Sequence, residues 1–275
     1  MYKDFKLGLC QMLVTMSKEE NLAKAIEIVG KAASSGCNII VLPECFNSPY
    51  GTNYFAEYAE DISDSESPTL KTLKSLSIQY SIYLIGGSIP EKNENKIFNT
   101  SVIFNPNGEI IGIHRKVHLY DMDIPGGIRC FESDVISPGN QATIVNTEYC
   151  KIGIGICYDI NFPEYSWTLS KDDTVGILIF PGCFNIDSGS KYWELLMKVR
   201  AFDNSIFVAG CSQARNNDAS YVSWGHSIVV DPLGQHENID EKEGILIKDI
   251  RFDELVRWRN NILFRKHKRF DVYRQ

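Results

Sequence analysis

The feature that most limits how this chain folds is a repeat within it. Ile39-Ile40-Val41-Leu42-Pro43-Glu44-Cys45-Phe46-Asn47 is matched by Ile177-Leu178-Ile179-Phe180-Pro181-Gly182-Cys183-Phe184-Asn185. Ser81-Ile82-Tyr83-Leu84-Ile85-Gly86-Gly87-Ser88 is matched by Ser205-Ile206-Phe207-Val208-Ala209-Gly210-Cys211-Ser212, and Gly8-Leu9-Cys10 by Gly155-Ile156-Cys157. The matches keep the same order in each half, as a duplicated scaffold would.

Periodicity fills in the unit. Phe5–Met12 reads as a strand, and Ser17 with Glu20 as a capping box for a helix running to Gly36. Strands at Cys37–Leu42 and Ile82–Ser88 flank a helix at Ser67–Tyr80. Ile97–Asn105 and Glu109–His114 form a hairpin about Pro106-Asn107-Gly108. The second half repeats this with strands Cys150–Cys157, Val175–Phe180 and Ile206–Ser212, helices Phe162–Ser170 and Ser190–Asn204, and a hairpin from Ser223–Val230 through Asp231-Pro232-Leu233-Gly234. Strands apolar along their whole length need cover on both faces. Two βαβαββ halves packed sheet to sheet supply it, so the expected fold is α/β, a four-layer α-β-β-α sandwich. One domain spans 1–275, with a C-terminal arm over about 251–275. The arm's basic run, Arg257 to Arg274, reads as surface or subunit contact rather than an anion site.

Composition narrows the function. A net charge of −7 lacks the basic footprint of a nucleic-acid binder. No apolar run has membrane-spanning length, and no apolar signal stretch follows Met1, so no membrane partner is expected. The eight cysteines include no CxxC pair, which fits reduced thiols and a cytoplasmic setting, with a mitochondrial one left open. The five histidines show no HExxH spacing and no G-x-S-x-G elbow occurs, so neither a metal nor a serine nucleophile is indicated.

A duplicated scaffold carries its own control: residues shared by both halves serve the fold, and residues in one half only are candidates for chemistry. Glu44 closes an apolar strand where the second half has Gly182. A carboxylate at a strand's carboxyl end has restricted access to water and a raised pKa, which suits a general base. Taken alone it reads rather as a surface-loop glutamate. Cys157 stands at a strand-to-helix turn, where N–H groups favour negative charge; its twin Cys10 has no helix after it and reads as core. Lys116, in a segment absent from the second half, reads alone as solvated surface, but beside a thiol it would favour thiolate or hold an oxyanion.

Together, Val41-Leu42-Pro43-Glu44, His114-Arg115-Lys116-Val117-His118-Leu119 and Gly155-Ile156-Cys157-Tyr158-Asp159 resemble the motifs of the nitrilase superfamily of carbon–nitrogen hydrolases over nearly the whole chain. Tyr120-Asp121-Met122-Asp123-Ile124-Pro125-Gly126, Phe131-Glu132-Ser133, Trp193-Glu194-Leu195-Leu196, Arg200-Ala201-Phe202-Asp203-Asn204 and Ala219-Ser220-Tyr221-Val222-Ser223-Trp224-Gly225-His226 are most similar to the ω-amidase branch. The resemblance implies the α-β-β-α sandwich, pairing into homodimers or higher homo-oligomers across helices, no cofactor, and ammonia release from small dicarboxylic monoamides such as α-ketoglutaramate and α-ketosuccinamate. It implies Cys157 as nucleophile forming a thioester, Glu44 as base, Lys116 with the Tyr158 N–H as oxyanion donors, and Glu132 as a carboxylate orienting the lysine. His118 would line the pocket or pack structurally. The family's Arg four residues after the nucleophile is replaced by Asn161, which either leaves the substrate's far carboxylate to another residue or caps the following helix with Glu164. Tyr50, Tyr54, Arg115 and Arg129 are candidates for that carboxylate. The alternatives are a deaminated-glutathione amidase, another amide or carbamoyl hydrolase of the superfamily, or a catalytically silent interaction module.

Overall fold

The computed structural model describes residues 2–123 and 129–273. The Ile124-Pro125-Gly126 part of the motif above, and Arg274 of the basic run, lie outside them. In the first half run β1 (Phe5–Gln11), α1 (Lys18–Ser34), β2 (Ile39–Val41), α2 (Thr52–Tyr58), α3 (Pro68–Tyr80), β3 (Tyr83–Ile85), β4 (Ile89–Asn93), β5 (Lys96–Phe104) and β6 (Ile110–Arg115). A hairpin of β7 (Asp121–Asp123) and β8 (Arg129–Phe131) leads on to β9 (Thr143–Asn146), β10 (Lys151–Ile154), α4 (Pro163–Ser170), β11 (Val175–Gly182), α5 (Ile186–Ser188), α6 (Glu194–Asn204), β12 (Phe207–Ser212), β13 (Ile228–Val230), β14 (His236–Asn238) and β15 (Gly244–Ile250). α7 (Phe252–Asn261) and α8 (Phe270–Tyr273) follow.

The duplication is written in the sheets. One sheet has the order β14-β13-β12-β11-β10-β9. The other runs β15-β1-β2-β3 and then β5, with β6 beyond it. β3 and β4 pair along the same edge of β5, because β6 occupies the opposite edge at Thr100 through Phe104. They are one strand interrupted at Gly86-Gly87-Ser88. A Cβ on Gly87, whose φ is +54°, would lie 2.1 Å from the Pro43 carbonyl, so the break needs a glycine. β15 comes from the end of the chain yet pairs antiparallel with β1, as β9 pairs with β10. The second half's strand thus completes the first half's sheet, which the repeat alone does not reveal.

Alternation of side chains builds four layers. Leu7, Leu9, Ile39 and Val41 from one sheet meet Ile152, Ile154, Ile177 and Ile179 from the other in the central core. The neighbouring positions point outward: Ile40, Leu42 and Leu84 lie under Ala25, Ile28 and Val29 of α1, and Leu178, Phe180 and Val208 under Leu169 of α4 and Met197 of α6. The twin serines do the same work in each half. Ser81 (φ 52°, ψ 47°) and Ser205 (φ 47°, ψ 57°) end α3 and α6 in the left-handed conformation.

Three sequence expectations change. Gly8 lies opposite Ile40, whose counterpart Leu178 lies opposite Gly153, so Gly8 corresponds to Gly153 and not to Gly155. Cys157 therefore has Met12, not Cys10, as its twin. A shift of two residues keeps the same face, so an apolar Gly-x-Cys pattern fits either register and only the pairing decides. Cys10 is a buried core cysteine as expected. Ser17 caps α1 by accepting from the Glu20 N–H, but the Glu20 carboxylate accepts from Thr15 Oγ1, so the box is half formed. The Ser190–Asn204 helix begins as a π-helical turn, Gly189–Trp193.

The basic arm is tied to its own chain. Arg265 Nη1 donates to the Asn204 carbonyl at 2.6 Å and Arg259 Nε to the Ser205 carbonyl at 2.8 Å, capping the end of α6 with positive charge.

Candidate active site

Three loops at strand ends converge on one buried cluster. Glu44 follows β2, Lys116 follows β6 and Glu132 follows β8; all three are fully buried. Lys116 Nζ lies 3.1 Å from Glu44 Oε1 and 2.9 Å from Glu132 Oε1. Two buried carboxylates thus share one ammonium. Burial works against the charge on Lys116, but the fields of Glu132 and Glu44 prevail and hold its pKa well above the ordinary lysine value.

The two carboxylates are not equivalent. Glu132 is saturated: besides Lys116, it accepts from Tyr50 OH at 2.8 Å and from the Tyr120 N–H at 2.7 Å. Glu44 Oε1 accepts from Asn99 Nδ2 at 2.8 Å, while Oε2 is buried with no aligned partner. Burial raises the Glu44 pKa, Lys116 opposes, and Glu132 adds to the rise. Glu132 is a fixed counter-ion; Glu44 has an oxygen free to take a proton. The Cys157 thiol bears on that carboxylate as a side-chain neighbour, without the alignment of a formed hydrogen bond.

Cys157 opens a 3-10 turn, Cys157–Asn161, with φ +45°, a conformation uncommon for non-glycine residues and typical of strained functional turns. It is 6% exposed. Burial and the Glu44 charge push its pKa well above the ordinary thiol value, and Lys116 only partly offsets them. The resting group is therefore a thiol. Lys116 does pull toward thiolate, as a cation should, but burial and the Glu44 charge outweigh it. The internal control holds at Gly182: a Cβ there would meet the Trp193 ring at 2.8 Å and lie 3.8 Å from Cys157 Cα. A glutamate like that of the first half has no room.

Asp159 locks the arrangement, and sequence reasoning assigned it no role. Its Oδ2 accepts from the Ile156 N–H at 2.9 Å, beside the nucleophile. Its Oδ1 accepts from the His118 N–H at 2.9 Å and the Val117 N–H at 3.2 Å, beside the lysine. His114 Nε2 (3.2 Å) and His118 Nδ1 (2.7 Å) complete the shell. Burial would raise its pKa, but the hydrogen bonds from His114 and His118 hold it at about 2. Asp159→Asn places an amide N–H among donors. We expect it to destabilise the fold by about 3 kcal/mol and to lower kcat, checked by urea unfolding alongside activity; wild-type stability with full activity would remove Asp159 from this role.

Other expectations are sorted by position. Tyr158 and Asn161 line a cavity of about 130 Å³ together with Cys157, Tyr50, Tyr120 and Tyr221. His118 is not part of that wall; it stacks on Phe162 at 3.7 Å between ring centres and turns to Asp159. Asn161 does not cap α4, whose N-cap is Phe162 with no side-chain hydrogen bond; Asn161 Nδ2 instead donates to the Tyr158 carbonyl at 3.2 Å. Arg115 Nε is committed to Glu91 at 2.8 Å, and the Arg129 side chain is 66% exposed. Tyr54 lies in a neighbouring larger cavity. Asn99, on β5, had no sequence signal, since nothing in a strand pattern marks which polar residue meets a distant glutamate.

A cysteine, a free carboxylate oxygen and a shared ammonium, buried at the strand ends of two facing sheets, form an arrangement suited to acyl transfer from nitrogen. The sequence model of the carbon-nitrogen hydrolase family matches residues 6–260, and the chain belongs to that family. It is 48% identical to a hydrolase of Schizosaccharomyces pombe over 99% of this chain and 84% of that one. It is 46% identical to the mouse omega-amidase NIT2 over 98% of this chain and 96% of that one. The crystal structure of Saccharomyces cerevisiae Nit3, a member of branch 10 of the nitrilase superfamily, superimposes with a TM-score of 0.90 at 38% identity, covering 98% of this chain and 97% of that one. The sandwich expected from the repeat is thus the nitrilase-superfamily fold.

Proposed function

We propose that this chain is an omega-amidase-like hydrolase that releases ammonia from small carboxamides, α-ketoglutaramate and α-ketosuccinamate among them, through a thioester on Cys157. The observation that carries the mechanism is the difference between the two carboxylates, one saturated and one with a free buried oxygen beside a protonated thiol. The likeness to omega-amidases across nearly the full chain supports the reaction class.

Glu44 takes the Cys157 proton as sulfur attacks the amide carbon. The oxygen of the tetrahedral adduct is held by Lys116 and the Tyr158 N–H. Two of the three ammonium protons of Lys116 point to Glu44 and Glu132, leaving one for the oxyanion. Collapse breaks the C–N bond, and Glu44 passes its proton to the nitrogen, which leaves as ammonia. Glu44 then takes a proton from water, hydroxide adds to the thioester, and collapse returns the carboxylate product and the thiol. Glu132 keeps Lys116 protonated and in place.

Each turnover needs Glu44 ionised at the start. Because its pKa is raised, kcat/KM should fall on the acid side at a pH above the ordinary carboxylate range. The thiol and ammonium pKa values are also raised, so no alkaline fall is expected through the ordinary thiol range. Ammonia release from α-ketoglutaramate, followed against pH, tests both the activity and this one-sided profile. A bell with an alkaline limb near neutrality, or no ammonia at any pH, would count against the reading.

We also propose a cytoplasmic homodimer. The eight free cysteines favour a reducing compartment, and Leu195 and Phe202 of α6, at 54% and 49% exposed, favour pairing through the helical layer. Among the described residues no helix is long and apolar enough to cross a membrane.

A further inference from the structure

We propose that Gln213 is a positioning residue for the general base: from the second half of the chain it grips the carbonyls of Glu44 and Cys45, and so aims the free carboxylate oxygen of Glu44 at the Cys157 thiol. This rests on the amidase reading and adds to it a residue outside the wall of the cavity beside Cys157.

The turn after Glu44 needs holding from outside. Cys45 has φ +50°, a left-handed conformation that a non-glycine residue keeps only where its surroundings enforce it. The first half supplies part of the hold. Ser88 Oγ accepts from the Cys45 N–H at 3.1 Å, the Ser88 carbonyl accepts from the Phe46 N–H at 3.3 Å, and the Ser88 N–H donates to the Pro43 carbonyl at 3.2 Å. These bonds pass over the Glu44 carbonyl. Among the described residues its donor is Gln213 Nε2 at 2.8 Å, and the same nitrogen lies 3.2 Å from the Cys45 carbonyl. Carbonyls only accept, so two of them fix this end of the side chain as its NH2 group. Glu44 is thereby held at both ends. Gln213 has its carbonyl, Asn99 and Lys116 have Oε1, and Oε2 is what the hold directs.

Gln213 is itself anchored. It is 7% exposed; its carbonyl accepts from Ser212 Oγ at 3.1 Å and Ser223 Oγ at 3.2 Å. The next N–H, of Ala214, donates to the Met12 carbonyl at 2.9 Å. Ser212 is the twin of Ser88, so Gln213 stands where the first half has Ile89, a residue of the apolar core. It therefore passes the same test that singles out Glu44: it occurs in one half only. The pairing is across the halves. The glutamine belongs to the half with Gly182, which has no carboxylate to aim, and serves the half that has Glu44. Displacing a reacting group by about 1 Å costs about a hundredfold in rate, so a hold of this kind is worth having.

The test removes the donor and keeps the shape. Gln213→Met should lower kcat for α-ketoglutaramate by about ten- to a hundredfold, with KM within about threefold of wild type. Alkylation by iodoacetamide, read on the Cys157 peptide, should slow by about the same factor, because sulfur displaces iodide as Glu44 takes the thiol proton. Gln213→Lys, whose ammonium can donate to both carbonyls, should restore kcat to within about threefold of wild type. In a Glu44→Gln background, adding Gln213→Met should change the alkylation rate by less than about twofold, since the base it positions is gone. Wild-type kcat and alkylation in Gln213→Met, or a further slowing in the Glu44→Gln background, overturn the proposal; Gln213→Lys as slow as Gln213→Met overturns the role of the donor. Should Gln213→Met not fold, Gln213→Glu, of the same shape with an acceptor facing the carbonyls, should lower kcat at least as far, and near-wild-type kcat in it overturns the proposal. Failure of the amidase reading looks different: the wild-type protein releases no ammonia, while the alkylation rates still order as stated.

Discussion

Cys157→Ala should abolish amide hydrolysis while leaving the protein folded. The sulfur supplies the bond that becomes the thioester, and no other group at the site can take its place. Lys116 is protonated, Glu132 is saturated with hydrogen bonds, and Glu44 is the base. The structural loss is small, because Cys157 borders a cavity and alanine keeps most of its packing. Alanine also tolerates φ +45° no worse than cysteine, so the turn held by Asp159 persists. We expect turnover at the level of the uncatalysed control and a Tm within a few degrees of wild type. Residual activity above about a hundredth of wild type would show a second nucleophile or another mechanism.

Glu44→Gln should come next in severity, lowering kcat/KM by about a thousandfold or more. General acid–base catalysis is typically worth about 10² to 10⁴. Glu44 is asked for it twice, in forming and in hydrolysing the thioester. Glutamine keeps the Asn99 and Lys116 contacts at one oxygen but places N–H protons where Oε2 was free. The substitution also removes one of two carboxylates around Lys116, leaving Glu132 as its single counter-ion. Stability should therefore change little or improve while activity collapses, a split that rate and urea-unfolding measurements on the same preparation reveal. Near-wild-type kcat in Glu44→Gln would take it out of the mechanism.

The parts of the fold legible in sequence were those set by local periodicity and by repetition. The twin apolar strands, the twin helices ending at Ser81 and Ser205, and the two hairpins all appear where the pattern puts them. β15 was illegible because strand exchange between halves is a long-range choice: Gly244–Ile250 completes β1's sheet, as the antiparallel register shows. The split of β3 from β4 depends on backbone contact at Gly87, which no side-chain pattern encodes. Within the site, the contrast of Glu44 with Gly182 carried real information, and Trp193 explains it. The Cys10–Cys157 twinning did not, because a strand's two-residue period hides a two-residue slip. Asn99, Tyr50 and Asp159 act through neighbours distant in the chain, so only their three-dimensional setting exposes them. Sequence also could not show how deeply the thiol is buried, and it is burial first, then the Glu44 charge, that raises its pKa against the pull of Lys116.

The site has a practical consequence for labelling. Cys130, in β8, is partly exposed, while the other seven cysteines are buried. Thiol reagents will meet Cys130 as well as Cys157, so peptide mapping must separate them. The most direct test of the account is therefore the intact and peptide mass of protein quenched in acid during turnover of α-ketoglutaramate. The account predicts a 2-oxoglutaryl group on the peptide containing Cys157, absent in Cys157→Ala. Ammonia release with unmodified Cys157, or the acyl group on another residue, would contradict it.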